Sequence, residues 1–203
     1  NNANLNTLSQ ITGTASDVSG INKTEVLIKN VTDNQYWQGA VWGAALTWIN
    51  TTGTTNWYYN ISSWTDGKQY LIQSRSTDNA TNVETPSAGV SFKFDTSAPA
   101  SSVTYPANGS ELKILTTITV NSSDTTAGVS NVKIKIKNIT DTSWWNGSIW
   151  AGTDPGFGLS VSGTTSWTYT APAFANGKTY LIQSQATDNA TNIETPSAGV
   201  SFK

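Results

Sequence analysis

The chain of 203 residues contains no cysteine, no histidine and no methionine. Without cysteine there can be no disulfide and no thiolate metal site. The absence of histidine removes the usual general base of hydrolases and the commonest zinc ligand. Charge is also scarce. Eleven Lys and Arg face 13 Asp and Glu, and charged residues are 12% of the chain. Charge this sparse and this balanced argues against nucleic acid and anionic membrane as partners. No apolar run approaches the length of a membrane span, so this segment is not expected to insert. No secretory leader is recognisable either, so export would be directed by a segment outside these residues. Nor does any stretch show the 3.6-residue period of an amphipathic helix.

In place of charge the chain is rich in Ser and Thr, 56 residues together, and in Asn, 20 residues. Such a polar, uncharged surface suits a protein working outside the cell. The chain also repeats itself. Leu71 to Lys93 reads almost the same as Leu181 to Lys203, with changes only at Arg75/Gln185, Ser76/Ala186 and Val83/Ile193. Gly53-Thr54-Thr55 and Trp57 match Gly163-Thr164-Thr165 and Trp167 at the same spacing. Further upstream Ile28-Lys29-Asn30 matches Ile136-Lys137-Asn138, and Trp37 and Trp42 match Trp145 and Trp150. The shorter spacing there assigns two extra residues to the loop at 151–158. A period of this size is a whole domain rather than a solenoid turn. The expected domains are 1–95 and 96–203, with a linker over 95–100. The lead-in to the second, Asp95 to Pro106, has no equivalent in the first, so repeat one is expected to lack its first strand.

Alternation with period two dominates both repeats. Val132, Ile134 and Ile136 alternate with Lys133, Lys135 and Lys137, which predicts a strand burying one face. Turn residues such as Asp66-Gly67, Asn108-Gly109 and Asn176-Gly177 recur every eight to twelve positions. About seven short strands per repeat is the signature of an all-β sandwich. In the second repeat the expected strands are A at 101–106, B at 114–123, C at 131–138, E at 165–171, F at 178–187 and G at 198–203. The Trp-bearing segments 36–42 and 144–150 fall between C and E.

The order of segments ITGTASD, VLIKN, YWQGAVW, TNWYYN, DGKQYLIQSRSTDNATN and VSFKFDTSAP resembles the tandem immunoglobulin-like repeats of large prokaryotic cell-surface proteins, adhesins and fibres. The resemblance covers essentially the whole chain and implies two immunoglobulin-like β-sandwich domains. It places Tyr70 and Tyr180 at the position of a tyrosine corner. Thr81 and Thr191 stand where the family has Gly.

Four carboxylates recur: Asp17/Asp124, Asp33/Asp141, Asp78/Asp188 and Glu84/Glu194. In this sandwich the B–C and F–G loops lie at the end where the chain enters. Asp95, Asp124 and Asp188 are therefore expected to converge where one domain meets the next. Oxygen ligands without His or Cys favour a hard ion, Ca²⁺ before Mg²⁺. The site would be completed by Asn189 or Glu194. The competing reading makes these side chains caps of tight turns.

Ten Asn-X-Ser/Thr sequons, at Asn22, Asn30, Asn50, Asn60, Asn79, Asn108, Asn121, Asn138, Asn146 and Asn189, are candidate glycan acceptors. Of nine Trp residues, Trp57 and Trp167 read as core. Trp37, Trp42, Trp144, Trp145 and Trp150 are candidate contact aromatics, and Trp48 and Trp64, like Trp144, occur in one repeat only. Together these features point to a non-catalytic structural segment of an extracellular fibre, filament or adhesin stalk, glycosylated and joined to neighbouring copies of the repeat. The alternative is a carbohydrate-binding module using exposed Trp faces. A Lys–Asn isopeptide crosslink is disfavoured because Ala198 to Lys203 carries no Asn.

Overall fold

The computed structural model describes residues 2–203. The chain divides into two compact units, Asn1–Thr96 and Ser97–Lys203. All regular structure is β, and each unit is an immunoglobulin-like sandwich of two sheets.

In the first unit the larger sheet is built on β3 (Ile21–Asn30) and β8 (Lys68–Asp78). These are paired antiparallel with Ile28 opposite Ile72. On one side β8 pairs with β9 (Val90–Phe94), which in turn takes β1 (Ala3–Leu5) in parallel. On the other, β3 is extended by β4 (Gln35–Trp37) and β5 (Trp42–Gly43), with β6 (Ile49–Asn50) added near its start. The facing sheet consists of two strands, β2 (Gln10–Thr14) and β7 (Asn56–Asn60).

The second unit repeats this plan with two strands added to the smaller sheet and, among the described residues, no strand in the place of β1 in the larger. Its larger sheet runs β14 (Trp150–Ala151), β13 (Ser143–Trp145), β12 (Val129–Asn138), β18 (Tyr180–Asp188) and β19 (Val200–Phe202), with β15 (Leu159–Ser160) added to β12. Its smaller sheet runs β10 (Ala100–Tyr105), β11 (Thr117–Ser123), β17 (Ser166–Thr170) and β16 (Ser162–Gly163). The predicted strand B was too long at its start. Ile114 faces solvent, and pairing begins only at Thr117.

Period-two alternation sets the core. Along β18, Tyr180, Ile182, Ser184, Ala186 and Asp188 point inward and are buried, with the residues between them half-exposed. Val132, Ile134 and Ile136 of β12 meet them from the paired strand, and Ile118, Val120 and Trp167 close the core from the other sheet. At 20–33 cal/mol per Å² of buried apolar surface, each such side chain contributes about 1.5–3 kcal/mol. Aromatic rings seal one end in both units. Tyr70 stacks on Phe92 at 5.4 Å, and Tyr180 on Phe202 at 5.5 Å. Trp64 stands edge-on to Tyr70 where Phe174 stands edge-on to Tyr180.

Candidate functional site

The residues that recur in both units are tied first to backbone. The Tyr70 hydroxyl accepts the Thr65 N–H at 2.8 Å, and the Tyr180 hydroxyl accepts the Ala175 N–H at 2.9 Å. Each links the long strand to the chain five residues upstream, the geometry of a tyrosine corner.

The carboxylates behave likewise. Asp78 accepts the backbone N–H and the side-chain amide of Asn82, both at 2.8 Å, and Asp188 does the same with Asn192. Asp17 caps the turn at Ser19, and Asp124 accepts the N–H groups of Thr126 and Gly128. Asp33 and Asp141 each receive a lysine at 2.8 Å, Lys68 and Lys178, and an amide from Asn30 or Asn138. Turn capping therefore accounts for four of the eight recurring acids, and a lysine ion pair for two more.

Thr81 and Thr191 follow Asp78 and Asp188 by three residues and adopt φ of 71° and 72°. This left-handed region costs a β-branched residue about 1–2 kcal/mol. The turn thus keeps the backbone that glycine would take and bears the strain. Thr81→Gly is expected to stabilise the first unit by about 0.5–1 kcal/mol, less than the full strain because glycine loses more entropy on folding. A rise in the denaturant midpoint at unchanged slope would show it.

Four acids have lowered pKa values. The Lys68 ammonium holds Asp33 below the ordinary carboxylate range, and Lys178 does so for Asp141. Asn82 does the same for Asp78. Burial of Glu25 opposes its charge, but Arg75 at 2.8 Å and Lys23 at 3.1 Å outweigh it and its pKa also falls. A carboxyl whose pKa is lower folded than unfolded stabilises the fold above its unfolded pKa. That contribution is lost as pH falls through the folded value. The ordinary values are 3.8 for Asp and 4.5 for Glu. Stability is therefore expected to be level above about pH 5 and to decline below pH 4. Urea denaturation at pH 7, 5 and 3 measures it, and equal midpoints at pH 5 and 3 would contradict it.

Of the five residues expected to hold a cation, Asp124 and Asp188 present carboxylate oxygens within 4.8 Å of each other in the second unit. Asp188 is buried, and Asp95 is fully buried as well. The other two expected ligands also bind protein groups, Asn189 through its amide nitrogen only. The Asn189 amide donates to the carbonyls of Ala127 and Gly128, pinning one loop to the next. Glu194 turns away to bind β10. Its carboxylate accepts the Ser101 N–H at 2.7 Å, the Ser101 hydroxyl, and the Ala186 N–H at 2.8 Å. The Ser101 hydroxyl also lies 2.8 Å from that of Ser184. The recurrence of Glu194 suggested a ligand, whereas its neighbours make it a clamp between strands.

The sequons separate by burial. Asn30 and Asn138 are 3% and 5% exposed, and their amide nitrogens bind Asp33 and Asp141. The folded chain offers neither to a transferase, which corrects their place among the acceptors. Asn79 and Asn189 are exposed but spend their amides on loop carbonyls. Asn22, Asn50, Asn60, Asn108, Asn121 and Asn146 are exposed.

The Trp residues are also corrected. Trp37 is buried and donates to the Tyr59 hydroxyl at 2.8 Å, and Trp145 donates to Tyr169 at 3.1 Å. Trp42 packs on Trp37 and Tyr70, and Trp150 on Trp145 and Tyr180. The short hairpins carrying them fold over the end of the core, which buries Trp37 and leaves Trp42, Trp145 and Trp150 half-exposed. Trp64, unique to its unit, fills the place of Phe174 and donates to the Leu8 carbonyl. Only Trp48 and Trp144 carry cations over their rings. Arg75 lies 4.4 Å from Trp48, and Lys135 and Lys137 lie about 5 Å from Trp144.

Sequence reasoning passed over one feature. In the first unit a groove of about 450 Å³ runs beside β2, lined by Leu5, Ile11, Trp57, Ile72, Val90 and Phe92. A second hollow adjoins it at Trp57 and Ser74 and reaches Ser76 and Glu84.

No family model matches this chain, and no curated protein does. Among solved structures, the fibronectin(III)-like modules of Clostridium thermocellum CbhA align over 99% of this chain and 88% of theirs, at 13% identity and a TM-score of 0.47. The FN1–FN3 domains of chicken CNTN1 align over 98% of this chain and 63% of theirs, at 14% identity and a TM-score of 0.45.

Proposed function

We propose that this chain is a non-catalytic structural segment of an extracellular fibre, filament or adhesin stalk. The observation carrying this reading is the duplication itself. The tyrosine corner, the Asp–Asn turn, the Asp–Lys–Asn cluster and the Trp–Tyr hydrogen bond occur in both units, and each ties one part of a sandwich to another. Residues kept in duplicate for bracing suit a repeated structural module, whose partners would be neighbouring copies of the same kind of repeat. The surface rich in Thr and Asn suits a cell-surface setting, with glycans on the exposed sequons. Calcium bound by Asp124 and Asp188 would tie two loops of the second unit together.

Electron microscopy of the producing cells, with antibody raised against this chain, tests the reading. Labelled fibres or stalks are the expected result. Label confined to diffuse material between cells, together with binding on a glycan array, would replace it with a carbohydrate-binding module. Intact mass of the native protein tests the glycans separately, because a mass equal to the bare polypeptide excludes them.

A further inference from the structure

We propose that the outer face of the larger sheet in the second unit binds an acidic polysaccharide, a chain of sugars bearing carboxylates. The inference goes beyond the reading of the chain as a structural segment, because it gives the second unit a ligand of its own.

The face is built on β12, whose side chains alternate across the sheet. Val132, Ile134 and Ile136 are buried in the core. Lys133, Lys135 and Lys137 therefore stand in a row on the opposite side, about 7 Å from one to the next. Lys135 alone of the three has a carboxylate partner among the described residues, Asp154 at 3.2 Å. Its ammonium also lies 4.9 Å from the Trp144 ring and 5.1 Å from that of Phe157. Lys137 is paired with Trp144 across the strands and lies 5.0 Å from the same ring. Lys133 is exposed. The rings hold two ammonium groups in place without neutralising them.

The neighbouring strand β18 adds acceptors. Gln185 is paired with Lys133, and Gln183 with Lys135. Their amide nitrogens donate to the carbonyls of Glu194 and Ser197, which fixes both side chains. Each amide oxygen is left to accept from a ligand. Ammonium donors beside amide acceptors, flanked by a Trp ring, fit a polymer that carries carboxylates and hydroxyls together. A phosphodiester backbone presents acceptors only and would leave the two glutamine oxygens without donors.

The first unit shows the same face closed. Glu25, Leu27 and Tyr36 stand where the second unit has Lys133, Lys135 and Trp144. Glu25 takes both Lys23 at 3.1 Å and Arg75 at 2.8 Å, and Trp48 lies against Arg75. Leu27 is 3% exposed. Opposite charges are thus satisfied within the first unit's face, whereas the second unit's row presents Lys133 and Lys137 to a ligand of opposite charge.

The test uses the 203-residue chain and a labelled oligogalacturonide, with anisotropy as the readout. EDTA is present, so that calcium cannot bridge acids on the two molecules. The expected result is saturable binding with Kd below ~100 µM. Binding should weaken as salt rises from ~0.05 to ~0.2 M, and a neutral dextran oligomer should not bind. Lys133→Gln and Lys137→Gln together should weaken binding at least about tenfold without lowering Tm. Lys29→Gln, at the first-unit counterpart of Lys137, should change nothing. No saturation at ~1 mM oligosaccharide, or equal binding by the double variant, overturns the proposal and leaves the row as a solvated surface. Duplex DNA that competes better than the oligogalacturonide at equal charge also overturns it and gives the face to phosphate. Fibres found by microscopy without oligosaccharide binding would leave the structural reading intact and remove only this ligand. Binding without fibres would do the reverse.

Discussion

Replacing Glu194 with alanine is expected to destabilise the second unit by about 3 kcal/mol, while Glu84→Ala costs the first unit less than about 1 kcal/mol. The two residues are the same in sequence and differ in surroundings. Glu194 is 8% exposed and satisfies three donors, the Ser101 N–H, the Ser101 hydroxyl and the Ala186 N–H. Its removal leaves the Ser101 and Ala186 N–H groups without partners in a dry interior, at about 1–3 kcal/mol for each that water cannot reach, while the Ser101 hydroxyl keeps Ser184. Glu84 is exposed and binds only Ser76, whose N–H and hydroxyl can turn to water instead. Hydrogen exchange reads the two units independently. Protection should fall at Ser101 and Ala186 in the first variant and change little at Ser76 in the second. Equal losses in both units would show that Glu194 acts as a surface residue and that β10 is held by its apolar contacts alone.

The second large effect concerns calcium. Carboxylate oxygens of Asp124 and Asp188 lie within 4.8 Å. Two full charges at that distance repel by about 3.5 kcal/mol at an effective dielectric of 20. Saturating Ca²⁺ at 100 times its Kd would add about 2.7 kcal/mol to the folded state. The Tm of the chelated protein is thus expected to rise by several degrees on adding CaCl₂, with heat in a calorimetric titration. Asp124→Asn separates this from turn capping. The amide oxygen can still accept the Thr126 and Gly128 N–H groups that Asp124 Oδ1 now holds. The variant should therefore be more stable than the parent without calcium, through lost repulsion, and should no longer respond to calcium. Absence of both heat and a Tm rise in the parent would leave Asp124 and Asp188 as turn caps only.

The fold was legible because its signals are local and repeated. Alternation at Val132, Ile134 and Ile136 needs only a pleated strand with one dry face, whereas the first-unit counterpart Val26-Leu27-Ile28 is a continuous buried run that the repeat places. Tyr70 and Tyr180 were legible only through the family resemblance, and each reaches a backbone group five residues away. The Trp residues were harder to read. Trp144 and Trp145 are neighbours, and the pleat sends one toward Lys135 and the other to Tyr169. Nothing in their identity says which is which until the hairpin's register is set.

Composition and periodicity alone determined the all-β class, the two repeats and the exclusion of thiol and imidazole chemistry, because these follow from which residues are present and how they alternate. The tertiary structure decided what the acids do. Glu194 meets Ser101 across 93 residues of chain, and its identical partner Glu84 lacks that neighbour. Burial and hydrogen bonding are properties of what packs alongside, so two identical stretches of sequence became a closed core in one unit and an open groove in the other.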